Sequence, residues 1–371
     1  MKRQETGCLS CAVASTPCGA DLEFSGIRSL TVSFFVAVLT LTGGCAERGI
    51  GTPGIVSLAP SESSPAPHHE FVLRVATANL WGVSVLGFDW ADEIDLRFAE
   101  FAERLGQNLH GLDVVLIQEA WKDAARQTLL SHDGVQRNFP YRVDVLEKPG
   151  GAGLVVLSRF PIEAAHFHRF AAQGQCLKFW EGDCLSGKGV LAVRIRIAEA
   201  NFWVATTHLI ACYADNQEDE VACDQRDPNG ETRMQQILET REFMERLVGD
   251  APAILGGDFN FTRSSRYYPT MTSQGVPVGS SKTPSTHTDR GWTEVGESAV
   301  VTNRIDFIWS RRGLDRHWRA KNGAELIFTE PVVTRDGGSI PISDHPILAV
   351  PFCLIGSDEA SEVVACSTPR P

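Results

Sequence analysis

Short apolar runs alternate with amphipathic segments along most of this chain. Runs rich in aliphatic and β-branched residues predict strands at 71–79, 113–118, 152–158, 190–197, 202–208, 252–257, 305–309 and 347–352. In 91–109 and 231–248, apolar residues instead recur at three- and four-residue steps, which predicts helices with one buried face. Strands and helices mixed in this way indicate an α/β domain of packed layers, from about Phe71 to about Pro351.

The residues before this domain have a different composition. Residues 29–42 are uncharged and mainly apolar, too short a run to span a bilayer as a helix but the length of a signal-peptide core. Two glycines then precede Cys45, as in a bacterial lipoprotein cleavage site, so Cys45 is a candidate lipidated residue, with plain secretion as the alternative. Residues 46–69 are rich in Pro, Ser and Gly and predict a flexible linker. We therefore expect an export signal (1–45), the linker, one domain (70–371), and a place in the cell envelope or outside the cell.

Composition adds three constraints. The chain of 371 residues is 43% apolar and 22% charged, which is ordinary for a globular domain with a large core. Its net charge of −12 argues against a stable nucleic-acid partner, because the negatively charged phosphates of nucleic acids bind best to a basic surface. Six cysteines follow Cys45, and an even number in an exported chain indicates disulfides. The pairs we expect are local in sequence: Cys176–Cys184, Cys212–Cys223 and Cys353–Cys366.

Polar residues with catalytic side chains stand at the ends of several predicted strands. Four short pieces carry them: Gln118-Glu119, Thr207-His208, Asp258-Phe259-Asn260 and Ser343-Asp344-His345. Oxygen ligands suit a hard cation such as Mg²⁺, and imidazoles suit proton transfer and phosphate contact. More than two hundred residues separate the first piece from the last, so only the fold can assemble them. The set predicts a metal-dependent phosphoester hydrolase.

Taken alone, Glu119 could simply be a surface acid at the end of a strand and not a metal ligand. The run Val114 to Ile117 directly before it is of the buried type, which favours delivery of the acid to a sheet edge. Asn79 ends the first predicted strand. If the two strands are neighbours, a carboxamide and a carboxylate meet at that edge, as Mg²⁺ sites require.

The later pieces also leave alternatives open. Asp258 and Asn260 could form an Asp–Asn turn, or face one pocket if the chain stays extended. A histidine that takes protons usually needs a carboxylate to fix its tautomer. For His345, either Asp306 or Asp344 could do this while the other acid faces the metal.

The order of the motifs NLWG, IQEAW, GLVVLSRFPI, THL, GGDFN, RIDFIW and SDHPIL resembles the endonuclease/exonuclease/phosphatase superfamily of metal-dependent phosphoesterases. The resemblance covers about residues 71–352. It implies a two-layered β-sandwich flanked by helices, with the active site at one sheet edge. It also implies Glu119 as the main Mg²⁺ ligand, with Mn²⁺ or Co²⁺ as alternative cations, and Asn79 and Asp344 close to the metal.

The same resemblance implies the remaining catalytic roles. His208 contacts the scissile phosphate, and Asp258 and Asn260 position or activate water and substrate. Asp306 orients His345. Whether His345 or Asp258 takes the proton from water is left open by the sequence.

One segment is similar to the neutral sphingomyelinases within this superfamily. Residues 183–189 match their Asp-x₄-Lys-Gly segment through Asp183 and Lys188, and residues 151–162 also look like theirs. Lys188 would bring positive charge to a phosphodiester. The alternative is a glycine-flanked turn with a solvated lysine.

An apolar loop, residues 83–90, follows Asn79 and contains Leu86, Phe88 and Trp90. Exposed side chains of this kind can lie in a membrane interface. Packing beneath the following helix is the alternative.

We therefore expect an exported, Mg²⁺-dependent phospholipase C-type phosphodiesterase that acts as a monomer and hydrolyses sphingomyelin, or a related phospholipid, at a membrane surface. Two alternatives use the same scaffold: an extracellular nuclease, which needs a basic groove, and a phosphoinositide phosphatase, for which the chain shows no dense basic cluster. A third is a non-catalytic membrane-binding lipoprotein, which the competent residues at the matched positions disfavour.

Overall fold

The computed structural model describes residues 55–57, 72–85, 88–145, 151–174, 187–197, 200–213, 220–249, 251–273, 291–295, 305–311, 318–320 and 324–354. All of them belong to one unit, residues 49–371. The strands are β1 (Ile55–Ser57), β2 (Val72–Asn79), β3 (Ser84–Val85), β4 (Phe88–Asp89), β5 (Val114–Gln118), β6 (Tyr141–Asp144), β7 (Val155–Ser158), β8 (Ile162–Arg169), β9 (Gly189–Ile197), β10 (Ala200–His208), β11 (Ala253–Asp258), β12 (Trp292–Val295), β13 (Asp306–Arg311), β14 (Trp318–Ala320), β15 (Glu325–Ile327), β16 (Val332–Val333), β17 (Ser339–Ile340) and β18 (Ile347–Leu354). The helices are α1 (Ile94–Gln107), α2 (Asp123–Ser131), α3 (Asp133–Asn138), α4 (Glu220–Gln225), α5 (Gly230–Val248) and α6 (Tyr268–Thr272).

The predicted strands and both predicted helices are present, with ends that differ by a few residues. Apolar runs such as β5 are buried along their whole length, because a central strand of a layered sheet is covered on both faces. α1 buries Phe98, Phe101 and Leu105 on one face, as its period predicted. The hydrophobic pattern therefore identified the main elements correctly.

Two sheets pack face to face. One has the order β1-β6-β7-β5-β2-β18-β14, with β15 also paired to β18, and the other has the order β12-β13-β11-β10-β9-β8. Aliphatic side chains from both inner faces, among them Val75, Leu116, Val193 and Ile254, form one buried cluster. The predicted two-layered β-sandwich is confirmed.

Helices cover the outer face of each sheet. On the larger sheet, Phe98 and Phe101 of α1 share a buried cluster with Ile117 of β5. On the smaller sheet, Ile237 of α5 shares a cluster with Leu255 of β11. Each sheet is therefore apolar on both faces, which agrees with an α/β sandwich flanked by helices.

Strand pairing brings the polar strand ends to one edge. β2 and β5 are parallel, with Asn79 opposite Gln118, and β10 and β11 are parallel, with His208 opposite Asp258. β13 runs antiparallel to β11 and begins at the same edge, with Asp306 opposite Asp258. Because the parallel strands end together, residues far apart in sequence become neighbours.

The two sheets are tied together directly beneath this edge. Gln118 Nε2 on β5 donates hydrogen bonds to Thr206 Oγ1 on β10 at 2.8 Å and to Thr77 Oγ1 on β2 at 3.1 Å. All three side chains are fully buried. Satisfied buried polar groups of this kind fix the relative placement of the layers that carry them.

Part of the segment predicted as a flexible linker, residues 46–69, forms a strand. Residues 55–57 form β1, which pairs antiparallel with Tyr141–Val143 of β6. β6 is otherwise the edge of the larger sheet, and an edge offers unpaired backbone groups that a β-branched segment can use. These residues therefore extend the sheet.

One of the three predicted cysteine pairs lies wholly within the described residues, and it is confirmed. Cys212 and Cys223 form a disulfide. Cys353 is disulfide-bonded as well, while its predicted partner Cys366, the 176–184 pair and the predicted lipidation site Cys45 lie outside the described residues. Within the described part of the chain, no helix is both long and apolar enough to cross a bilayer.

Candidate active site

Glu119 lies at the rim where β5 ends, and its side chain is almost fully buried. The backbone turns there into the left-handed region, with a φ of 57°. The amide of Gly82 donates to the Glu119 carbonyl at 3.0 Å, and a Cβ on Gly82 would lie 2.4 Å from that oxygen, so the contact requires glycine. Burial raises the pKa of Glu119 to about 7. The fold therefore holds a carboxylate in a dry position at the sheet edge, where a cation would stabilise its charge.

Asn79 joins the carboxylates at this edge. Its Nδ2 donates to Glu119 Oε1 at 2.8 Å and to Asp258 Oδ2 at 3.0 Å, while its Oδ1 accepts from the Trp81 amide at 3.0 Å. Arg97 Nη2 holds the same turn by donating to the Trp81 carbonyl at 2.9 Å. Asn79 thus supplies donors to two candidate ligands, and its own role as a metal ligand stays a prediction.

His208 and Asp258 end neighbouring strands and face each other. His208 Nε2 lies 3.4 Å from Asp258 Oδ2 and 3.7 Å from Glu119 Oε1. Burial lowers the pKa of His208 well below its usual range and raises that of Asp258 to about 6. The strands can approach because Gly257 has no side chain: a Cβ there would lie 2.0 Å from the Thr207 carbonyl. His208 is therefore a neutral imidazole, able to donate one hydrogen bond to an anionic oxygen.

His345 and Asp306 form a hydrogen-bonded pair. His345 Nδ1 lies 2.8 Å from Asp306 Oδ2, and His345 Nε2 lies 3.9 Å from Asp258 Oδ2. Burial lowers the pKa of His345, but the negative charges of Asp306 and Asp258 outweigh burial and raise it to about 11. Of the two acids considered for His345, Asp306 is the one placed to fix its tautomer.

Lys188 is buried, with 1% of its surface exposed, which excludes the alternative of a solvated lysine. Its Nζ donates to the Leu209 carbonyl at 2.9 Å, and Asn260 Nδ2 donates to the same oxygen at 2.9 Å. The positive charge of Lys188 opposes the burial-driven rise in the pKa values of Glu119 and Asp258. Lys188 thus belongs to the charged cluster, whereas its motif partner Asp183 lies outside the described residues.

The segment 343–345 docks on the end of β2. Ser343 Oγ donates to the Asn79 carbonyl at 2.6 Å and accepts from the His345 amide at 3.1 Å. Asp344 is exposed and, among the described residues, belongs to neither group of side chains that could share a metal. Its predicted place beside the metal stays a prediction.

Sequence reasoning assigned no role to three residues of this site. Trp121 lies with its ring centroid 5.6 Å from that of His208 and 5.8 Å from Lys188 Nζ. Its position two residues after Glu119 in IQEAW was the available signal. The other two are Arg97, because a helical pattern does not distinguish a buried arginine from a solvated one, and Ser343, whose partner is a distant carbonyl.

The residues present fit a divalent cation. Two groups could share one, Glu119 with His208 and Asp258, or Asp258 with Asp306 and His345, and the ligand atoms of each group lie within 4.8 Å of one another. Glu119 Oε2 is buried without a hydrogen-bond partner in the described part of the chain. An unpaired buried carboxylate oxygen is costly, and a cation removes that cost. The oxygen-rich donor set matches the preference of hard cations such as Mg²⁺.

The apolar loop forms a small hairpin from β3 and β4. Phe88 is 73% exposed and Trp90 is 55% exposed, so neither packs beneath α1, while Leu86 lies outside the described residues. Lys122, on the loop that follows β5, places its Nζ 2.7 Å from an oxygen of Asp89. The hairpin is thus fastened to the loop that carries the main candidate ligand.

The fold and the site together point to one protein family. The chain belongs to the Endonuclease/Exonuclease/phosphatase family, whose sequence model matches residues 76–345. This assignment confirms the predicted fold class and the resemblance on which it was based.

Three curated relatives are similar to this chain. It is 28% identical over 298 residues to a Drosophila melanogaster protein named "Putative neutral sphingomyelinase", covering 78% of this chain and 62% of that protein. It is 28% identical over 199 residues to Sphingomyelin phosphodiesterase 2 of Rattus norvegicus, covering 52% and 42% of the two chains. It is 27% identical over 206 residues to Inositol phosphosphingolipids phospholipase C of Schizosaccharomyces pombe, covering 55% and 45%. The chain therefore spans less than two thirds of the length of these relatives.

Solved structures agree on the fold. Sphingomyelinase C from Streptomyces griseocarneus is similar with a TM-score of 0.52 and 20% identity, over 76% of this chain and 99% of that chain. Beta toxin from Staphylococcus aureus, in a structure with bound magnesium ions, is similar with a TM-score of 0.51 and 18% identity, over 76% and 99%.

Proposed function

We propose that this protein is a Mg²⁺-dependent phospholipase C-type phosphodiesterase that hydrolyses sphingomyelin to ceramide and phosphocholine. One observation carries the proposal: the buried Lys188, from the segment matched to neutral sphingomyelinases, lies within the same cluster as the candidate metal ligand Glu119. The curated relatives are named for sphingolipid phosphodiesters, which supports this substrate class.

Glu119 and Asp258 would hold the cation, since their carboxylates share one group with His208. A bound divalent cation polarises the phosphate and offsets charge on the leaving alkoxide; Mg²⁺ is the first choice, with Mn²⁺ or Co²⁺ as alternatives. Asn79 keeps both carboxylates in place through its hydrogen bonds at 2.8 and 3.0 Å.

His345 is the proposed base for the attacking water. Its Nδ1–H donates to Asp306, which leaves Nε2 free to take a proton. Asp258, whose negative charge contributes to the raised pKa of His345, is also a proposed ligand. Bound to a cation, it would raise the pKa of His345 less, which favours the neutral form that a base requires. Asp258, 3.9 Å from Nε2, would orient the same water.

His208, Asn260 and Lys188 would stabilise negative charge on the phosphate. His208 is neutral and can donate from Nε2, and Lys188 supplies a positive charge in a dry setting where electrostatic stabilisation is strong. The water oxygen bonds to phosphorus as the bond from phosphorus to the ceramide oxygen breaks. That oxygen then takes a proton and leaves as ceramide, with phosphocholine as the second product.

The exposed hairpin supports action at a membrane surface. Phe88 and Trp90 project from the loop just after Asn79 and are fastened near Glu119 through Asp89. Aromatic side chains are favoured at the boundary between lipid tails and headgroups. We propose that they seat the protein on the bilayer that contains its substrate.

We further propose that the chain is exported and acts as a monomer, as a lipoprotein of the cell envelope anchored through Cys45 or as a secreted protein. The Cys212–Cys223 disulfide supports an oxidising location. Labelled fatty acid should enter wild type and be absent from Cys45→Ser if the lipoprotein form is correct. An unlabelled wild type found in the medium would indicate secretion.

A substrate panel tests the activity. Purified protein is assayed with vesicles of sphingomyelin, phosphatidylcholine or inositol phosphosphingolipid, with soluble inositol phosphates, and with plasmid DNA, each with Mg²⁺ or EDTA. Phosphocholine release from sphingomyelin that requires Mg²⁺ is expected. Faster cleavage of DNA, or of the inositol lipid, would contradict the proposed substrate.

A further inference from the structure

The carbonyl of Leu209 is shared by two groups of the site. Lys188 Nζ and Asn260 Nδ2 both donate to it at 2.9 Å. The amide of Leu209 donates to the Asp258 carbonyl at 3.0 Å, so the residue continues the parallel pairing of β10 and β11. The position of this single carbonyl therefore helps to set where both side chains point.

The next residue, Ile210, is held by helix α5 through both of its backbone groups. The amide of Ile210 donates to Gln236 Oε1 at 2.7 Å, and the carbonyl of Ile210 accepts from Arg233 Nε at 3.0 Å. Gln236 and Arg233 are fully buried. A loop residue whose amide and carbonyl are both bound to buried side chains has little freedom to shift.

The two α5 side chains are anchored on their far sides. Arg233 Nη2 lies 2.7 Å from Asp227 Oδ2, and both side chains have no exposed surface. Asp227 Oδ1 also accepts from the Tyr213 amide at 3.2 Å. Gln236 Nε2 donates to the Ala172 carbonyl at 2.8 Å. Hydrogen bonds and an ion pair thus connect the segment after β10 with α5, and α5 with the segment after β8.

We propose that Arg233 and Gln236 are positioning residues for phosphoester hydrolysis: by fixing Ile210, and with it the adjoining Leu209 carbonyl, they hold Lys188 and Asn260 at the scissile phosphate. The inference rests on the proposed phosphodiesterase function. Neither residue touches the reacting atoms. Both act through one carbonyl, and a displacement of about 1 Å in such a support can lower a rate on the order of 10²-fold.

Gln236→Met tests this directly, because methionine has a similar shape and loses both hydrogen bonds. On a soluble phosphocholine ester, kcat should fall about 10- to 100-fold, while KM and the Mg²⁺ concentration for half-activation stay within about twofold of wild type. Gln236→Glu keeps an acceptor for the Ile210 amide. Its kcat should lie closer to wild type than that of Gln236→Met, even though a buried carboxylate lowers its Tm further.

Arg241→Met is the matched control for Arg233→Met. Arg241 lies on the same helix, is 2% exposed, and donates to the carbonyls of Thr270 and Ser273, away from Leu209. Both substitutions should lower Tm, but only Arg233→Met should lower the kcat of the folded protein. Equal losses of kcat in the two variants would overturn the proposal.

A double-mutant cycle that combines Gln236→Met with Lys188→Met tests whether Gln236 acts by positioning Lys188 or only by stabilising the fold. The effect of Gln236→Met on kcat should shrink at least threefold once Lys188 is gone, because part of what it positions is then absent. An undiminished effect would overturn the proposal. Wild type that cleaves a different phosphodiester would contradict only the proposed substrate, and the cycle is then run on that phosphodiester with the same expectation.

Discussion

The hairpin side chains Phe88 and Trp90 provide a direct test of the membrane proposal. Replacing both with Ser removes rings that are 73% and 55% exposed. Full burial of a large apolar side chain contributes about 1.5–3 kcal/mol, and scaling by the exposed fraction gives roughly 1–2 kcal/mol for each ring. The sum of roughly 2–4 kcal/mol corresponds to a loss of about 30- to 700-fold in affinity for vesicles.

The chain offers a matched control for this change. Leu109 is 84% exposed and lies beyond the end of α1, whereas Trp90 lies before its start. A helix of 14 residues separates the two positions by about 20 Å, at about 1.5 Å per residue. Leu109→Ser should therefore leave vesicle binding unchanged if the hairpin, and not general surface hydrophobicity, makes the contact.

The assay combines co-sedimentation with sphingomyelin vesicles and hydrolysis of a short, soluble phosphocholine ester. The double substitution should weaken sedimentation and leave the rate on the soluble ester near wild type, because the rings do not contact the phosphate. Two results would refute the reasoning: an equal loss of binding in Leu109→Ser, or a parallel fall in the soluble rate.

Three further predictions concern the charged cluster. Glu119→Ala should abolish turnover by weakening metal binding, since a Mg²⁺ site with few protein ligands depends on each carboxylate; near-normal Mg²⁺ affinity in titration calorimetry would rule out this ligand. His345→Ala should keep that affinity and lower the rate on the order of 10²-fold or more, so a collapse of metal binding with normal single-turnover chemistry would contradict its role. In EDTA, the pKa of Glu119 is raised from 4.5 to about 7, so the folded state keeps a proton that the unfolded state has lost. The Glu119 contribution to stability without metal should therefore fall by roughly 3 kcal/mol as pH rises from about 4.5 to about 7. Asp258, whose pKa is also raised, adds a fall of its own, so Glu119→Ala should show a smaller fall than wild type, and equal falls in the two proteins would contradict the assignment.

The sequence predicted the elements well because their signals are local. The apolar run of β5 and the three- and four-residue period of α1 are properties of short segments, and both elements formed as expected. Short elements such as α3, with 6 residues, carry too few residues for a period to show. Sheet order was not predicted, since pairing between distant strands depends on packing that no local pattern contains.

The sequence predicted individual residues of the candidate site, but not the hydrogen bonds that connect them. The motifs identified His208, Asp258 and Asn260, yet the sequence left open whether the lysine of the Asp-x₄-Lys-Gly segment was solvated or buried. Burial of Lys188 is a tertiary property, set by the carbonyl of Leu209, which carries no signal in the sequence. Every residue carries the same backbone carbonyl, so the sequence does not show which carbonyl positions a side chain. That role becomes visible only in the folded chain.

Buried charge explains why this sheet edge would bind a cation. It also explains why placing these side chains there costs folding free energy. The residues Glu119, Asp258 and Asp306 are at most 9% exposed, and Lys188 is 1% exposed. With His345 charged, three negative groups face two positive ones, and burial disfavours the ionised forms of Glu119 and Asp258. A divalent cation reverses that balance, so ionisation of the ligands and binding of the metal are coupled. The strand register that brings these groups together is therefore also what makes the site electrostatically incomplete without a cation.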